Sequence, residues 1–423
     1  MVTAIDAGVM PQVAAVTPAA NGVLAGCRVL IIVENLPLPF DRRVWQEAHA
    51  LKRAGATVTI ICPRRSDYPK SVEEIDGIRI LRHPLPLEAS GKLGFLLEYG
   101  VALFWEIVLS WKVFLRGGFD IIQACNPPDL VFLAALPFKL LGRRFVFDHH
   151  DSAPDLYAAK FGRRDGLHRL LTFFERCTIR VADRVITANE SYREHALRIG
   201  THSTDKVTAV YSVPELRHIR RTDPDPVLRA KARVNLGYVG IIADQDGLDH
   251  LVGLVRALVD LAAADDVHAV VVGDGPALAK IKDMAQRLGV ADRITFTGYL
   301  KGEALLAALS SFDIGIIPDP PNPYNDRISM NKVFEYSALG IPSVAYPLQE
   351  TRRLLGDTGS YADDPTPAGL ARACLSLIRN PDLRRQRGAA AKALADERFV
   401  WSREAERYVD VYRSLYATLP NRA

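Results

Sequence analysis

Three pieces decide the fold: Arg28-Val-Leu-Ile-Ile-Val33, then Asp41-Arg-Arg-Val-Trp-Gln-Glu47 running on to Arg53, then Thr57-Val-Thr-Ile-Ile-Cys62. The first and last are short apolar runs, the pattern of strands buried on both faces of a sheet. Between them Asp41 reads as an N-cap, a carboxylate able to accept from the free amides of a first helical turn, and Gly55 as the stop. Strand, helix, strand is one β-α-β unit.

Working outward, the alternation continues. Strands are expected at 78–82, 120–125, 145–148, 184–187 and 207–210, with helices at 129–141, 167–182 and 191–199. The segment 211–233 is polar and carries Pro214, Pro224 and Pro226, so it reads as a connection. A second series opens at Asn235-Leu-Gly-Tyr-Val-Gly240. Strands are expected there at 269–272, 294–296, 314–316 and 343–345, between helices at 247–263, 277–288, 302–310 and 331–339. Helices near 368–378, 381–395 and 403–416 complete the pattern. The expected class is α/β, with two similar parallel-sheet domains, a cleft between them, and ligands at the carboxyl ends of the strands.

The chain has 423 residues. At roughly 150 residues per domain it holds two large domains or three smaller ones. Hydrophobic residues make up 48% and charged residues 24%, which excludes wholesale disorder. Lys plus Arg is 53 and Asp plus Glu is 49, a net charge of +4. That balance argues against a protein that holds nucleic acid by phosphate attraction. The cysteines at 27, 62, 125, 177 and 374 are scattered and form no C-x-x-C pair. Neither a disulfide framework nor a structural zinc site is expected, and a reducing cytoplasm is the compartment they imply. Residues 1–26 lack the basic start and apolar run of a signal peptide and read as a mobile tail.

The stretch 93–115 is apolar and aromatic but is interrupted by Glu98, Glu106 and Lys112. A carboxylate at mid-membrane costs about 2.5–3.5 kcal/mol, so a mostly buried helix is expected rather than a span. The functional reading is a helix at a membrane surface, with Arg116, Lys139, Arg143 and Arg144 to meet anionic lipid.

Chemistry is carried by four places. No G-x-G-x-x-G follows the first strand, which removes the signature of a nicotinamide or flavin site. Arg42 and Arg43 stand instead at a helix N-terminus, where amides and dipole favour an anion, so a phosphate or acceptor contact is expected of one of them. Phe145-Val-Phe-Asp-His-His-Asp151 runs a strand into His149, His150 and Asp151, with His150 suited to a sugar hydroxyl and Asp151 to orienting a ring nitrogen. Val272-Gly-Asp-Gly-Pro276 ends a strand, and its glycines allow close backbone approach to a ligand. The most informative segment is 318–342: a polar loop from Asn325 to Ser329, then a helix whose first turns carry Lys332 and Glu335, stopped by Gly340 and Pro342. There Lys332 is expected to supply charge to a phosphate, and Glu335 to accept hydrogen bonds from two adjacent hydroxyls, as ribose offers.

With these residues on the page, the chain resembles a GT-B glycosyltransferase of the large retaining family 4, over about residues 27–418. Glu335-Tyr-Ser-Ala-Leu-Gly-Ile-Pro342, Gly273-Asp-Gly-Pro276 and His150-Asp151 carry the resemblance. The Glu34–Glu47 opening and Asp148-His-His-Asp151 are similar to a bacterial subgroup that assembles surface polysaccharide. The resemblance implies two Rossmann-like domains facing a central cleft: an acceptor domain at 27–212, a linker at 213–233, a donor domain at 234–400, and a helix at 401–423 crossing back to the first domain. It implies a nucleotide-sugar donor of UDP or GDP type, a lipid-linked or glycan acceptor, and no metal or other cofactor. Attack is expected on the face the nucleotide leaves, with a donor phosphate oxygen taking the acceptor proton. His150, Asp151 and Asp326 become the candidate catalytic residues. Gly273, Asp274, Gly275, Arg327, Asn331, Lys332 and Glu335 would hold the donor, and Arg42, Arg43 and His149 would meet acceptor or phosphate.

Two departures stand out. The family's glutamate pair has its first member at position 327, which here is Arg, so Asp326 or Asn325 takes over the sugar contact. The loop Gly240–Asp249 lacks the cations that hold the donor diphosphate in relatives, which leaves Lys332 with Arg327 or Arg352 for that task. A GT-B-type epimerase and a non-catalytic sugar-nucleotide binder are the competing readings.

Overall fold

The computed structural model describes residues 22–85, 92–215, 218–261 and 266–419. They divide into two units: Val213–Trp401, and the residues up to Ser212 together with those from Ser402.

The first sheet in chain order has eight strands: β1 Arg28–Val33, β2 Thr57–Pro63, β3 Val72–Ile75, β4 Ile78–His83, β5 Ile121–Cys125, β6 Arg144–His149, β7 Arg184–Thr187 and β8 Val207–Ala209. Their order is β3-β4-β2-β1-β5-β6-β7-β8. Every neighbouring pair is parallel except β3 with β4. The apolar runs do what both-face burial requires: Leu30, Ile32, Ile122, Phe145 and Phe147 are fully buried in one core with Phe119 and Phe138. Asp41 caps the helix Arg42–Arg53, its Oδ1 accepting from the Val44 amide at 3.1 Å. Strand β3 was not expected. It is a short, half-exposed edge strand joined to β4 through Asp76 and Gly77, both at positive φ, as a two-residue hairpin needs.

Other expectations change. Residues 22–26 are not tail: Leu24 is buried and its amide donates to the Ala54 carbonyl at 2.9 Å. Residues 1–21 lie outside the described residues. The helix expected from 129 begins at Phe132, and the Asp129 side chain accepts from Asn126 Nδ2 at 2.8 Å. Helices Ala153–Phe161 and Gln349–Leu355 were not expected, and the connection contains a helical turn, Pro226–Arg229, capped by Asp225.

The apolar stretch forms one helix, Lys92–Arg116. Ala102, Glu106 and Ser110 are buried, while Phe104, Val108 and Leu115 are exposed. Burial pushes the Glu106 carboxyl up to about 8. Among the described residues no helix is long and apolar enough to cross a membrane. Three of the four cations expected to meet lipid meet carboxylates instead: Lys139 lies 2.7 Å and Arg144 3.8 Å from Asp183, and Arg143 3.6 Å from Asp120.

The second sheet has six strands: β9 Val234–Val239, β10 Val267–Val272, β11 Ile294–Gly298, β12 Ile314–Ile317, β13 Ser343–Ala345 and β14 Ser360–Tyr361. Its order is β11-β10-β9-β12-β13-β14, parallel throughout. This is the doubly wound order, and its direction reverses between β9 and β12, where such sheets open a crevice at their carboxyl ends. The helix Trp401–Tyr416 packs from Ser402 onward with the eight-stranded unit. Tyr408 and Tyr412 are fully buried there, and the Glu404 carboxylate accepts from the Tyr211 amide at 2.8 Å.

Candidate active site

In the eight-stranded unit, polar side chains gather at the carboxyl ends of β5 and β6. Asp148, the fifth residue of β6, is fully buried. It accepts from Arg43 at 2.8 Å, from Gln123 at 3.1 Å and from His150 Nε2 at 2.7 Å. Burial alone would raise its carboxyl, but Arg43 and His150 hold it well below the usual carboxylate range. A carboxylate can only accept, so the proton of that His150 contact sits on Nε2. The backbone under His150 is clamped by Asn126: its Oδ1 accepts from the His150 amide at 2.6 Å, and its Nδ2 donates to the Asp151 carbonyl at 2.6 Å and to Asp129 at 2.8 Å. Asp151 is half-buried beside it. The His150 side chain keeps 17% exposure at the end of this buried scaffold.

Two expected contact residues belong to the scaffold instead. Arg43 is 6% exposed and bridges Asp148 and Glu47, at 3.0 Å from the latter, while donating to the Val210 carbonyl at 2.8 Å. These contacts hold its guanidinium inside the scaffold, between Asp148 and Glu47. Of these, Glu47 is pushed well up by burial and by the nearby Asp148. His149 is fully buried, 3.3 Å from Glu175, which also meets His195 at 3.2 Å. Burial would lower the His149 imidazole, but the bond to Glu175 holds it raised. Asp129 beside this group is pushed to about 7, by burial first and then by Glu175. Arg42 is half-buried and donates to the Ser212 carbonyl at 3.2 Å.

The scaffold reaches the far end of the sequence. Gln123 donates to Glu47 at 3.0 Å and to Asp148 at 3.1 Å. Its Oε1 accepts from the hydroxyls of Tyr408, at 2.5 Å, and Tyr412. One amide therefore ties the helix Trp401–Tyr416 to the carboxylate that holds His150. Sequence reading passed over Gln123 and Asn126. The available signals were an amide inside the apolar strand β5 and a polar Asn-Pro-Pro-Asp run at its carboxyl end.

Cys125 Sγ, an Asp148 oxygen and a His150 nitrogen lie within 4.8 Å of one another, the one such trio among the described residues. The donors do not suit a metal ion. Burial and the Asp148 and Glu47 charges push the Cys125 thiol well up, and the Arg43 guanidinium already occupies the carboxylate.

In the six-stranded unit the candidates lie at the carboxyl ends of β9, β10 and β12. Glu335 is 2% exposed in the helix Asn331–Ala338, with Asn331 as its first residue. Lys332 is 4% exposed, and its Nζ lies 2.7 Å from Asp319, itself fully buried, and 5.0 Å over the Tyr238 ring. Burial pushes Asp246 up to about 6 against the pull of Lys332. Lys332 thus neutralises protein carboxylates in this structure. Asp326 Oδ1 accepts from the Gln349 amide at 2.8 Å, which fixes the start of the helix Gln349–Leu355, and Arg327 is half-buried next to it. Asn325 donates to the carbonyls of Pro320 at 2.9 Å and Gln245 at 3.2 Å, joining this loop to the 240–249 loop.

The glycines of Gly273-Asp274-Gly275 serve a close backbone approach within the protein. Gly273 sits at φ 143°, and a Cβ there would lie 1.9 Å from the Gly240 carbonyl oxygen; at Gly275 it would lie 2.3 Å from the Ile242 oxygen. They let two loops touch each other. Ile242 donates to the Asp274 carbonyl at 3.0 Å, and the Asp274 side chain accepts from the Gly275 amide at 2.7 Å. Neither Asp319 nor Tyr238 was singled out in the sequence.

Comparison with known proteins adds the following. A family model described as "Glycosyl transferase 4-like domain" matches residues 41–212, and one described as "Glycosyl transferases group 1" matches residues 233–380. The 2-deoxystreptamine glucosyltransferase of Streptomyces kanamyceticus is 30% identical over 323 residues, 69% of this chain and 80% of that protein. The GDP-mannose-dependent alpha-(1-6)-phosphatidylinositol dimannoside mannosyltransferase of Mycobacterium tuberculosis is 25% identical over 295 residues, 67% of this chain and 73% of that one. Among solved structures, sucrose-phosphate synthase from Thermosynechococcus elongatus superposes with a TM-score of 0.75 at 18% identity, covering 92% of this chain and 99% of that one. Anabaena HepE in complex with UDP gives 0.67 at 14% identity, covering 92% and 100%. These two show a shared fold.

Proposed function

This chain belongs to the group 1, family 4 glycosyltransferases of GT-B fold, and we propose that it moves a sugar, with retention, from a UDP- or GDP-linked donor to a lipid-linked or polysaccharide acceptor. The observation that carries this reading is His150, half-open at the carboxyl end of β6 and held from behind by Asp148 and from below by Asn126. A pre-oriented imidazole of that kind positions a sugar by its hydroxyls at little reorganisation cost.

In this reading Glu335 accepts from the donor's ribose hydroxyls, and the amides opening the helix Asn331–Ala338 face its phosphates. Arg327, half-buried beside Asp326, meets the diphosphate in this reading. The bond from the sugar's anomeric carbon to the diphosphate breaks as the bond to the acceptor oxygen forms on the same face. The acceptor proton passes to the departing phosphate oxygen, and no group of the protein becomes covalently attached. The relatives support the donor class: one is named for a GDP-mannose requirement, and one neighbour holds UDP.

The test is a thermal-shift screen of nucleotide sugars, since a true donor stabilises by mass action, followed by turnover with a polyprenyl-phosphate-linked glycan. Release of nucleoside diphosphate that requires acceptor, with the product's anomeric configuration matching the donor's, is the expected result. An isomerised donor means an epimerase. Binding without turnover means a non-catalytic binder, which the cation-free 240–249 loop and the engaged Lys332 would then explain.

A further inference from the structure

The amino ends of the eight-stranded sheet carry a second feature, at the edge away from His150. Arg28 opens β1, Thr57 opens β2 and Arg79 is the second residue of β4. Together with Lys112 and Arg116 of the helix Lys92–Arg116 they line a cavity of about 190 Å³. No carboxylate lines it. Arg28 is paired with Asp120 at 3.0 Å, but among the described residues Arg79, Lys112 and Arg116 meet no carboxylate at all. Three uncompensated cations converging on one cavity raise the local potential, which favours an anion there.

The same helix says which anion. Phe104, Val108 and Leu115 are 59%, 38% and 77% exposed. At about 100° per residue they fall with Lys112 and Arg116 in a single sector about 120° wide. Glu106 and Ser110 fall on the buried side. A soluble phosphate needs the cations and not the apolar row. A bilayer surface needs both: apolar side chains enter the headgroup–acyl boundary while cations stay at phosphate depth.

We infer that the amino-terminal edge of this sheet is a membrane-docking site, in which Phe104, Val108 and Leu115 enter the interface and the Arg28–Arg79–Lys112–Arg116 cavity receives the phosphate of an anionic phospholipid. The site stands apart from donor chemistry and needs no nucleotide sugar.

The test is sedimentation of the full chain with vesicles of phosphatidylcholine, alone or mixed with phosphatidylglycerol, without donor. The chain binds only the mixed vesicles and is released by salt. Lys112→Ala with Arg116→Ala weakens binding on the order of 25-fold, about fivefold per charge. Leu115→Asp weakens it as well, whereas Lys112→Arg with Arg116→Lys retains it. All these side chains are exposed, and unchanged melting temperatures show that the fold persists. Three results overturn the inference: no binding to mixed vesicles, equal binding to phosphatidylcholine, or double-alanine binding like the parent's. Competition by glycerol phosphate at concentrations too low to screen charge also overturns it, in favour of a soluble phosphate ligand.

Discussion

Replacing Lys332 by Met separates two roles for that lysine. In the structure its ammonium group lies 2.7 Å from Asp319, with the two side chains 4% and 0% exposed. Methionine keeps most of the volume and removes the charge, which leaves Asp319 in a buried position without its counter-ion. Breaking a buried pair from one side costs about 3–5 kcal/mol. For a unit of this size about 1 kcal/mol moves the melting temperature by roughly 2–4 °C, so a fall of about 6–20 °C is expected by scanning calorimetry. Lys332→Met combined with Asp319→Asn removes both charges and should recover most of the loss. Asp246 adds a pH signature. It is already raised to about 6, and Lys332 pulls it down, so the variant raises it further. A carboxyl raised in the folded state contributes stability at low pH that is lost as pH rises through the folded value. The deficit should therefore be larger above about pH 7 than near about pH 4. A variant that melts within about 1 °C of the parent yet loses donor turnover would refute the reasoning, because the charge would then belong to the ligand.

Three further outcomes are expected. Gln123→Met leaves the Tyr408 and Tyr412 hydroxyls and two carboxylates short of a partner, and should cost about 3–5 kcal/mol in urea denaturation, with less than about 1 kcal/mol speaking against the network. Glu106→Leu should flatten stability against pH: burial raises this carboxyl from 4.5 to about 8, so the parent loses stability as pH rises through that window, by up to about 5 kcal/mol. Parallel pH profiles for parent and variant would contradict it. Glu335→Gln should weaken donor binding about 10- to 100-fold by titration, the worth of a charge-assisted hydrogen bond, and unchanged affinity would remove Glu335 from the ribose site.

The strands were readable because parallel strands buried on both faces must be continuous apolar runs, as Arg28–Val33 and Thr57–Pro63 are. Strand β3 was not, because Val72-Glu-Glu-Ile75 is a half-exposed edge strand with nothing to bury on its outer side. In the site, residue types were readable and partners were not. Lys332 stood out as a cation at a helix start, but nothing in the chain near it says that Asp319 will take its charge. Arg43 and His149 looked available for the same reason. Gly273 and Gly275 were recognised as positions that need glycine, but the surface pressing on them is the Gly240–Ile242 backbone. Gln123 is the extreme case, since its tyrosine partner Tyr408 lies 285 residues away.

That last contact bears on how the protein is made. Residues 213–401 form a unit continuous in sequence, so it can close while the ribosome is still working. The eight-stranded unit is started earlier and finished later, because its strands wait for the helix Trp401–Tyr416. Until Tyr408 and Tyr412 emerge, Gln123, Glu47 and Asp148 surround an unfilled polar gap beside β5. A nascent chain halted before that helix would carry all of the His150 strand and still lack the tyrosines that lock its scaffold, which makes this unit the one most dependent on uninterrupted translation.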